Sequence, residues 1–370
     1  MEPSAAATDA NRVLNLRAGE LVEVRSEGDI LRTLDSRGML ESLPFMPEML
    51  KFCGKRFKVY KRADKACDTI EWKQLRRMEN AVHLEVLRCN GEAHGGCQAG
   101  CLIYWKEAWL KRVAEVPGGP VSVESVSAGV SEAPAGPLLC TRETLMEATR
   151  VEPAESGNEI YSCQATELLR ATTAPLPWWE LGQYVRDVRS GNSGVLPVLR
   201  GLLVGFFNKF QQANARLFPG FRIIHGGKTY PFVEGKLMGE SRSRGLNLQP
   251  GEIVEVRTKD EIFETLDTQG KNRGLRFDGE MLKYCGRRAK VLQRVNQIID
   301  ERTGRMLRIN SDCIILKGVV CTGDYHRSCP RSIYPYWREI WLKRVERADR
   351  SGSTPVTRVL DSAAESGSST

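Results

Sequence analysis

The chain has 370 residues, 41% hydrophobic and 27% charged, the composition of an ordinary globular protein with a prior of two to three domains. That length buries real cores, which excludes a fold dependent on disulfide staples. The formal net charge of +8 favours an anionic partner only mildly, because 46 acidic residues stand beside 54 basic ones and a mixed solvated surface accounts for the balance.

Residues 1–15 are rich in Ala, Ser and Asp and are expected to be disordered. They lack the basic and apolar regions of a signal peptide. The longest apolar stretch, Val195 to Phe210, is interrupted by Pro197 and Arg200 and is too short to span a bilayer. Eleven cysteines without an export signal point to a reducing cytoplasm, where clustered Cys and His bind metal more often than they form disulfides.

A first module is expected over 16–115. Leu21 to Arg25 and Arg56 to Arg62 alternate apolar and charged residues at strand period, and Ala81 to Leu87 and Trp109 to Val113 complete a set of short strands. Asp29 to Leu34 fits a single helical turn. The module ends in Cys89-Asn-Gly-Glu-Ala-His94-Gly-Gly-Cys97-Gln-Ala-Gly-Cys101 and Trp105-Lys-Glu-Ala-Trp109-Leu-Lys-Arg-Val113. Residues 116–137, with Pro117-Gly-Gly-Pro120 and Pro134-Ala-Gly-Pro137, have the composition of a flexible linker.

A mainly helical middle domain is expected over 138–245. Trp178, Trp179, Leu181, Tyr184, Val185 and Val188 recur at helical spacing, and Ser190-Gly-Asn-Ser-Gly194 ends that helix. A second helix carries Val195, Leu199, Leu202, Leu203, Phe206, Phe207 and Phe210, a stripe expected to be core or the face for a partner helix. Pro219-Gly220 stops it. Arg222 to His225 and Lys228 to Val233 fit strands around the Gly226-Gly227 turn.

A second module, 246–347, repeats the first without a gap at a constant spacing of 232 residues (89 to 321). Gly19-Glu-Leu-Val-Glu-Val-Arg25 matches Gly251-Glu-Ile-Val-Glu-Val-Arg257. Thr33-Leu-Asp35 matches Thr265-Leu-Asp267, and Glu48-Met-Leu-Lys-Phe-Cys-Gly54 matches Glu280-Met-Leu-Lys-Tyr-Cys-Gly286. Residues 348–370 are Ser/Gly-rich and expected to be a disordered tail. Short strands of this size need a closed or nearly closed barrel to avoid bare edges. The opening Gly-Glu-Leu-Val-Glu-Val-Arg resembles the first strand of an SH3-like barrel. The layout, with modules ending in Tyr-Trp-x-Glu-x-Trp-Leu, resembles a bacterial family of tandem modules. The resemblance implies an α+β protein with two duplicated small SH3-like barrels flanking the middle domain, and it carries over no activity.

Four candidate metal ligands recur in both copies: Cys53, Cys89, His94 and Cys97, then Cys285, Cys321, His326 and Cys329. Three thiolates and an imidazole suit tetrahedral zinc, and four protein ligands favour a structural ion over a catalytic one. Gly91, Gly95 and Gly96 let one loop bring Cys89, His94 and Cys97 together. Two rivals stand beside this set. Cys67 and Cys101, matched by Ile299 and Ile333, allow an all-cysteine zinc or iron–sulfur site with Cys89 and Cys97 in the first copy only. Alternatively, the cysteines are small buried hydrophobes and the histidine is a satisfied core residue.

Trp105, Trp109, Trp337 and Trp341 are expected either to plug each barrel or to form an aromatic platform beside a ligand. Glu107 and Glu339 stand between them, available to pair with Arg112 and Arg344 or to orient a metal-ligating histidine. Arg56, Lys58 and Arg62 lie on one strand face and recur as Arg288, Lys290 and Arg294. They suit either a phosphate backbone or a charged guard on a sheet edge. Phosphate-loop, dinucleotide, nucleophile-elbow and His-Glu-x-x-His motifs are absent from the sequence. The expectation is a zinc-stabilised tandem binding or scaffold protein with a protein or anionic partner. The alternatives are nucleic-acid or polyanion binding through the basic strands, and a metal-dependent enzyme with its site between a barrel and the middle domain.

Overall fold

A computed structural model describes residues 13–71, 75–113, 139–151, 159–217, 227–239 and 245–345. The expected linker at 116–137, the tail and nearly all of 1–15 lie outside the described residues. The chain has mixed α and β structure, with its strand ladders antiparallel. It groups into two compact units, residues 1–194 with 299–306, and residues 195–298 with 307–370. None of the helices among the described residues is long and apolar enough to cross a membrane.

In the first unit, β1 (Leu21–Val24), α1 (Glu27–Leu31), β2 (Met39–Leu40) and β3 (Leu43–Pro44) come first. They are followed by β4 (Arg56–Arg62), β5 (Lys65–Cys67), β6 (Leu75–Arg77), β7 (Ala81–Arg88), β8 (Leu102–Lys106) and β9 (Leu110–Arg112). The main sheet has the order β8-β7-β4-β1-β9. Alternation in Leu-Val-Glu-Val puts Val22 and Val24 fully inside, and Val22 pairs with Phe57 on one side and Arg112 on the other. Helix α1 starts where Ser26 Oγ accepts the Asp29 amide at 3.3 Å. Trp105 and Trp109 are fully buried, both edge-on to Phe45 with ring centres 6.1 and 5.1 Å away.

Residues 139–194 belong to this same unit and carry α2 (Arg142–Glu147), β10 (Arg150–Val151), β11 (Ile160–Tyr161), α3 (Leu168–Ala171), β12 (Pro175–Leu176) and α4 (Gly182–Arg189). The expected middle domain is therefore divided at Gly194, and strand β12 extends the β5–β6 ladder. Gln164 finishes the outer edge of β8. It accepts the Tyr104 amide at 2.8 Å and donates to the Tyr104 and Pro44 carbonyls at 2.9 and 3.0 Å. A buried side-chain amide thus completes backbone hydrogen bonds that would otherwise be unmade. The Lys65 ammonium and Asp187 carboxylate, both almost fully buried, pair at 2.5 Å.

The second unit begins with α5 (Val195–Leu217) and continues with β13 (Ile253–Val256), α6 (Lys259–Phe263), β14 (Lys271–Asn272), β15 (Leu275–Arg276) and β16 (Arg288–Arg294). The hairpin of β17 (Gln297–Ile299) and β18 (Met306–Arg308) follows, its residues 299–306 grouping with the first unit, and then β19 (Ile314–Leu316) and β20 (Leu342–Arg344) complete the second. The sheet order β19-β16-β13-β20 repeats the first unit's register: Val254 pairs with Ala289 and Arg344 where Val22 pairs with Phe57 and Arg112. Where β7 and β8 pair in the first unit, the second has a single bridge between Ile314 and Trp337. Trp337 and Trp341 are fully buried against Phe277, and Trp341 Nε1 donates to Thr265 Oγ1 at 2.9 Å, as Trp109 donates to Thr33 at 3.0 Å.

A buried carboxylate ties each unit together. Glu107 accepts the backbone amides of Leu14, Asn15 and Leu16 at 2.7, 3.0 and 2.9 Å and the Arg62 guanidinium at 2.7 Å. Glu339 accepts the amides of Leu246, Asn247 and Leu248 and pairs with Arg294. The alternative partners expected from sequence are engaged elsewhere: Arg112 pairs with Glu20 at 2.8 Å and Arg344 with Glu252 at 2.7 Å. Breaking a buried pair leaves an uncompensated charge and costs about 3–5 kcal/mol. Glu107→Leu is therefore expected to destabilise the first unit by about that amount and Glu339→Leu the second. Glu107→Gln, which keeps one acceptor oxygen, is expected to cost less. Urea unfolding followed by fluorescence of the buried tryptophans measures this, and a Glu107→Leu cost below about 1 kcal/mol contradicts the anchoring role.

Candidate metal centre

Strand β7 delivers Cys89 into a glycine-rich turn whose hydrogen bonds recur in both copies. His94 and Gly96 amides donate to the Gly91 carbonyl at 2.9 Å each, and the Cys97 amide to the His94 carbonyl at 3.2 Å. In the second copy, His326 and Ser328 donate to Gly323 at 3.0 and 2.8 Å, and Cys329 to His326 at 3.1 Å. The turn requires glycine: a Cβ on Gly91, at φ +75°, would lie 2.0 Å from the Cys97 carbonyl oxygen. A Cβ on Gly323 would lie 2.7 Å from the Cys329 nitrogen.

Against this turn stands a short 3-10 helix, Pro47–Phe52, which presents Glu48. One ligand atom from each of Glu48, Cys89 and His94 lies within 4.8 Å of the others. The Cys89 thiol donates to Glu48 Oε1 at 2.9 Å, and His94 Nδ1 is 3.3 Å from the same oxygen. The Glu48 and His94 side chains are 2% and 1% exposed. Glu48 Oε2 and His94 Nε2 are buried without a hydrogen-bond partner, and His94 Nδ1 has only its approach to Glu48. Burial alone would raise the Glu48 pKa, but hydrogen bonds from His94 and Cys89 and the His94 charge hold it below the usual carboxylate range. Burial, then the Glu48 charge and the neighbouring Cys101 thiol, push Cys89 well above an ordinary thiol. Tyr161, buried, seals the loop: a Cβ on Gly95 would fall 2.4 Å from its hydroxyl.

The second centre gathers Glu280, Cys321 and His326 within the same 4.8 Å limit but has a different surround. Glu280 accepts the Tyr325 and Thr322 amides at 2.7 and 3.1 Å and Lys283 Nζ at 3.1 Å. His326 Nε2 lies 3.2 Å from Asp278 Oδ1, where the first copy has Met46. Burial opposes charging His326, yet the hydrogen bond and charge of Asp278, with Glu280 and Cys329, raise its pKa to about 8. Asp278 and His326 line a cavity of about 240 Å³ with Thr229, Arg276 and Tyr325.

The structure brings together two of the four expected ligands in each copy, Cys89 with His94 and Cys321 with His326. Cys53 and Cys285 cap the 3-10 helices and pack into the cores, where burial raises each to a pKa of about 11. They are not members of the clusters that could hold a metal, in which Glu48 and Glu280 stand instead. Cys97 also lies outside its group, with its sulfur accepting the Ile299 amide at 3.4 Å. Cys329 is close enough to Cys321 and His326 to raise both pKa values. Cys67, Cys89, Cys97 and Cys101 do not form an all-cysteine group among the described residues. None of the eleven cysteines is in a disulfide. The sequence signal for the glutamates was present, since Glu48 and Glu280 are matched positions of the repeat.

The other candidate contacts also move. The four tryptophans have no exposed surface, so they are core and not a platform open to a ligand. Arg62 and Arg294 are held by Glu107 and Glu339. Arg56 pairs with Glu23 at 3.1 Å and Arg288 approaches Glu255 at 3.8 Å, while Lys58 and Lys290 are exposed. That arrangement is a cross-strand charge ladder on β4 and β16. Comparison with family models, curated proteins and solved structures finds no match.

Gly91→Ala and Gly19→Ala separate strain from crowding. Gly19, at φ +88°, has nothing within 4 Å of a Cβ, so its substitution meets backbone strain alone, on the order of 1 kcal/mol. Gly91→Ala adds a collision with backbone and is expected to lower the melting temperature several degrees further. Equal melting of the two variants would show that the turn yields.

Proposed function

We propose that each copy is a small SH3-like barrel whose Cys/His turn is locked by a zinc ion, and that the chain is a non-catalytic tandem binding or scaffold protein. The observation that supports this most directly is the sealed Glu48, Cys89 and His94 group, in which Glu48 Oε2 and His94 Nε2 are buried without hydrogen-bond partners. Leaving such groups unpaired costs about 1–3 kcal/mol each, so a sealed cluster of them calls for a ligand. A thiolate, an imidazole and a carboxylate are all zinc donors, whereas magnesium and calcium prefer oxygen alone. Cys101 in the first copy and Cys329 in the second are the nearest candidates for a fourth donor, and four protein donors suit a structural ion. Binding would strip the proton from the Cys89 thiol and so would tie metal affinity to pH.

Metal content of the purified chain tests the reading. Two zinc ions per chain are expected. Cys89→Ser or His94→Ala should remove one ion and lower the stability of the first unit, and Cys321→Ser should remove the other. Cys53→Ser and Cys285→Ser should leave the content unchanged. A metal-free protein, or one whose content survives Cys89→Ser, overturns the assignment.

A further inference from the structure

The first unit holds a cavity of about 320 Å³ that the proposed metal centre does not use. Arg17, Arg62, Arg77, Arg186 and Arg189 line it. They come from separate segments. Arg17 precedes β1, Arg62 and Arg77 end β4 and β6, and Arg186 and Arg189 lie on the last turn of α4. Positive charge on that turn has an ordinary explanation, since it complements the helix dipole. The dipole does not explain why guanidiniums from three other segments meet it at one cavity.

The partners divide the five. Arg62 is committed, with Nε donating to Asp64 and Nη1 to Glu107, both at 2.7 Å. Arg77 and Arg186 share one carboxylate. Arg77 Nη2 donates to both Glu180 oxygens at 2.7 and 2.8 Å, and Arg186 Nη2 reaches one of them at 3.3 Å. Arg17 and Arg189 are exposed, and among the described residues no carboxylate or hydrogen bond engages either guanidinium. The side chains of Asn15, Glu79 and Asn80 also line the cavity and make no hydrogen bond among the described residues. The apolar lining is Leu16 and Met78, without an aromatic ring.

We infer that this cavity binds a small polyhydroxy compound carrying a phosphate, the chemistry of a sugar phosphate. Guanidiniums meet phosphate oxygens with paired donors. The Glu79 carboxylate and the Asn15 and Asn80 amides suit hydroxyl groups. A nucleobase would seek an aromatic face to stack on, which this wall does not offer. The volume falls just inside the roughly 300–1,000 Å³ of small-molecule pockets. The site belongs to the first copy alone. Gln249 and Ile309 stand where the repeat would place counterparts of Arg17 and Arg77, and α4 lies outside the repeat.

Isothermal titration calorimetry of the full chain with glucose 6-phosphate, inorganic phosphate and glucose tests this at about 50 mM salt, where screening is modest. Glucose 6-phosphate is expected to bind at one site per chain, more tightly than inorganic phosphate, with glucose silent. Arg17→Gln/Arg189→Gln should raise its Kd at least about tenfold with an unchanged melting temperature, because neither side chain holds the fold. Lys58→Gln, an exposed cation on β4 outside the cavity, should leave the Kd in place. Absence of binding by glucose 6-phosphate overturns the proposal, including the case in which only single-stranded DNA binds. So does inorganic phosphate binding as tightly, or binding that survives the double arginine variant.

Discussion

Each copy depends on one buried carboxylate. Glu107 and Glu339 sit between two core tryptophans, in the least hospitable place for a charge. They persist there because every lone pair is used by three consecutive backbone amides and one guanidinium. A charge so enclosed is tolerated only when all its partners are present. The arrangement therefore constrains distant parts of the chain at once: the segment entering β1 or β13, the end of β4 or β16, and the turn between the tryptophans. It also consumes Arg62 and Arg294, which their sequence alone places on a basic strand face. A motif that resembles an aromatic ligand platform is the anchor of the core.

From this shared frame the two centres have diverged. The first is closed by Tyr161 over Gly95, and its carboxylate and imidazole have almost no contact with water. The second has Arg327 at the position of Gly95, Tyr325 at Ala93 and Asp278 at Met46, and its histidine is 34% exposed. Lys283 neutralises part of the Glu280 charge, whereas Lys51, its counterpart, lies over the Phe52 ring. Under the proposed reading, the first ion is sealed into the fold. The second is held by a histidine whose far nitrogen rests on a carboxylate, a surround that orients a metal-ligating imidazole. The second ion is then the one closer to exchange with solution.

Much of this was legible in the sequence. The alternating strands at Leu21, Arg56, Ala81 and Leu110, the helical spacing after Leu181 and Val195, and the glycine-rich turn all follow from local pattern and are present. The proposed ligand set was legible only in part, because Cys53 and Glu48 are both kept in the repeat and lie five residues apart, Glu48 on a short helix and Cys53 at its end. Which of them faces Cys89 depends on how that helix meets the turn, a tertiary fact. Gln164 closing the edge of β8 has no sequence signature, since a lone glutamine acquires that role only from its position in space. The division of the middle region at Gly194 likewise follows from packing and not from composition.

The apolar stripe on α5 shows the same limit from the other side. Periodicity identifies a face that wants to leave water, but not what covers it. Among the described residues, Val198, Asn208 and Gln211 take much of the packing of the helix, and seven large apolar side chains, from Val195 to Leu217, stay exposed. Fully burying each would contribute about 1.5–3 kcal/mol, on the order of 10 kcal/mol together. That is comparable with the roughly 5–15 kcal/mol that separates a folded domain from its unfolded chain. Translational and rotational losses on association take back at least several kcal/mol. The polar contacts of Asn208 and Gln211 with the Tyr230 and Lys228 backbone hold the helix on its own unit without using these seven side chains.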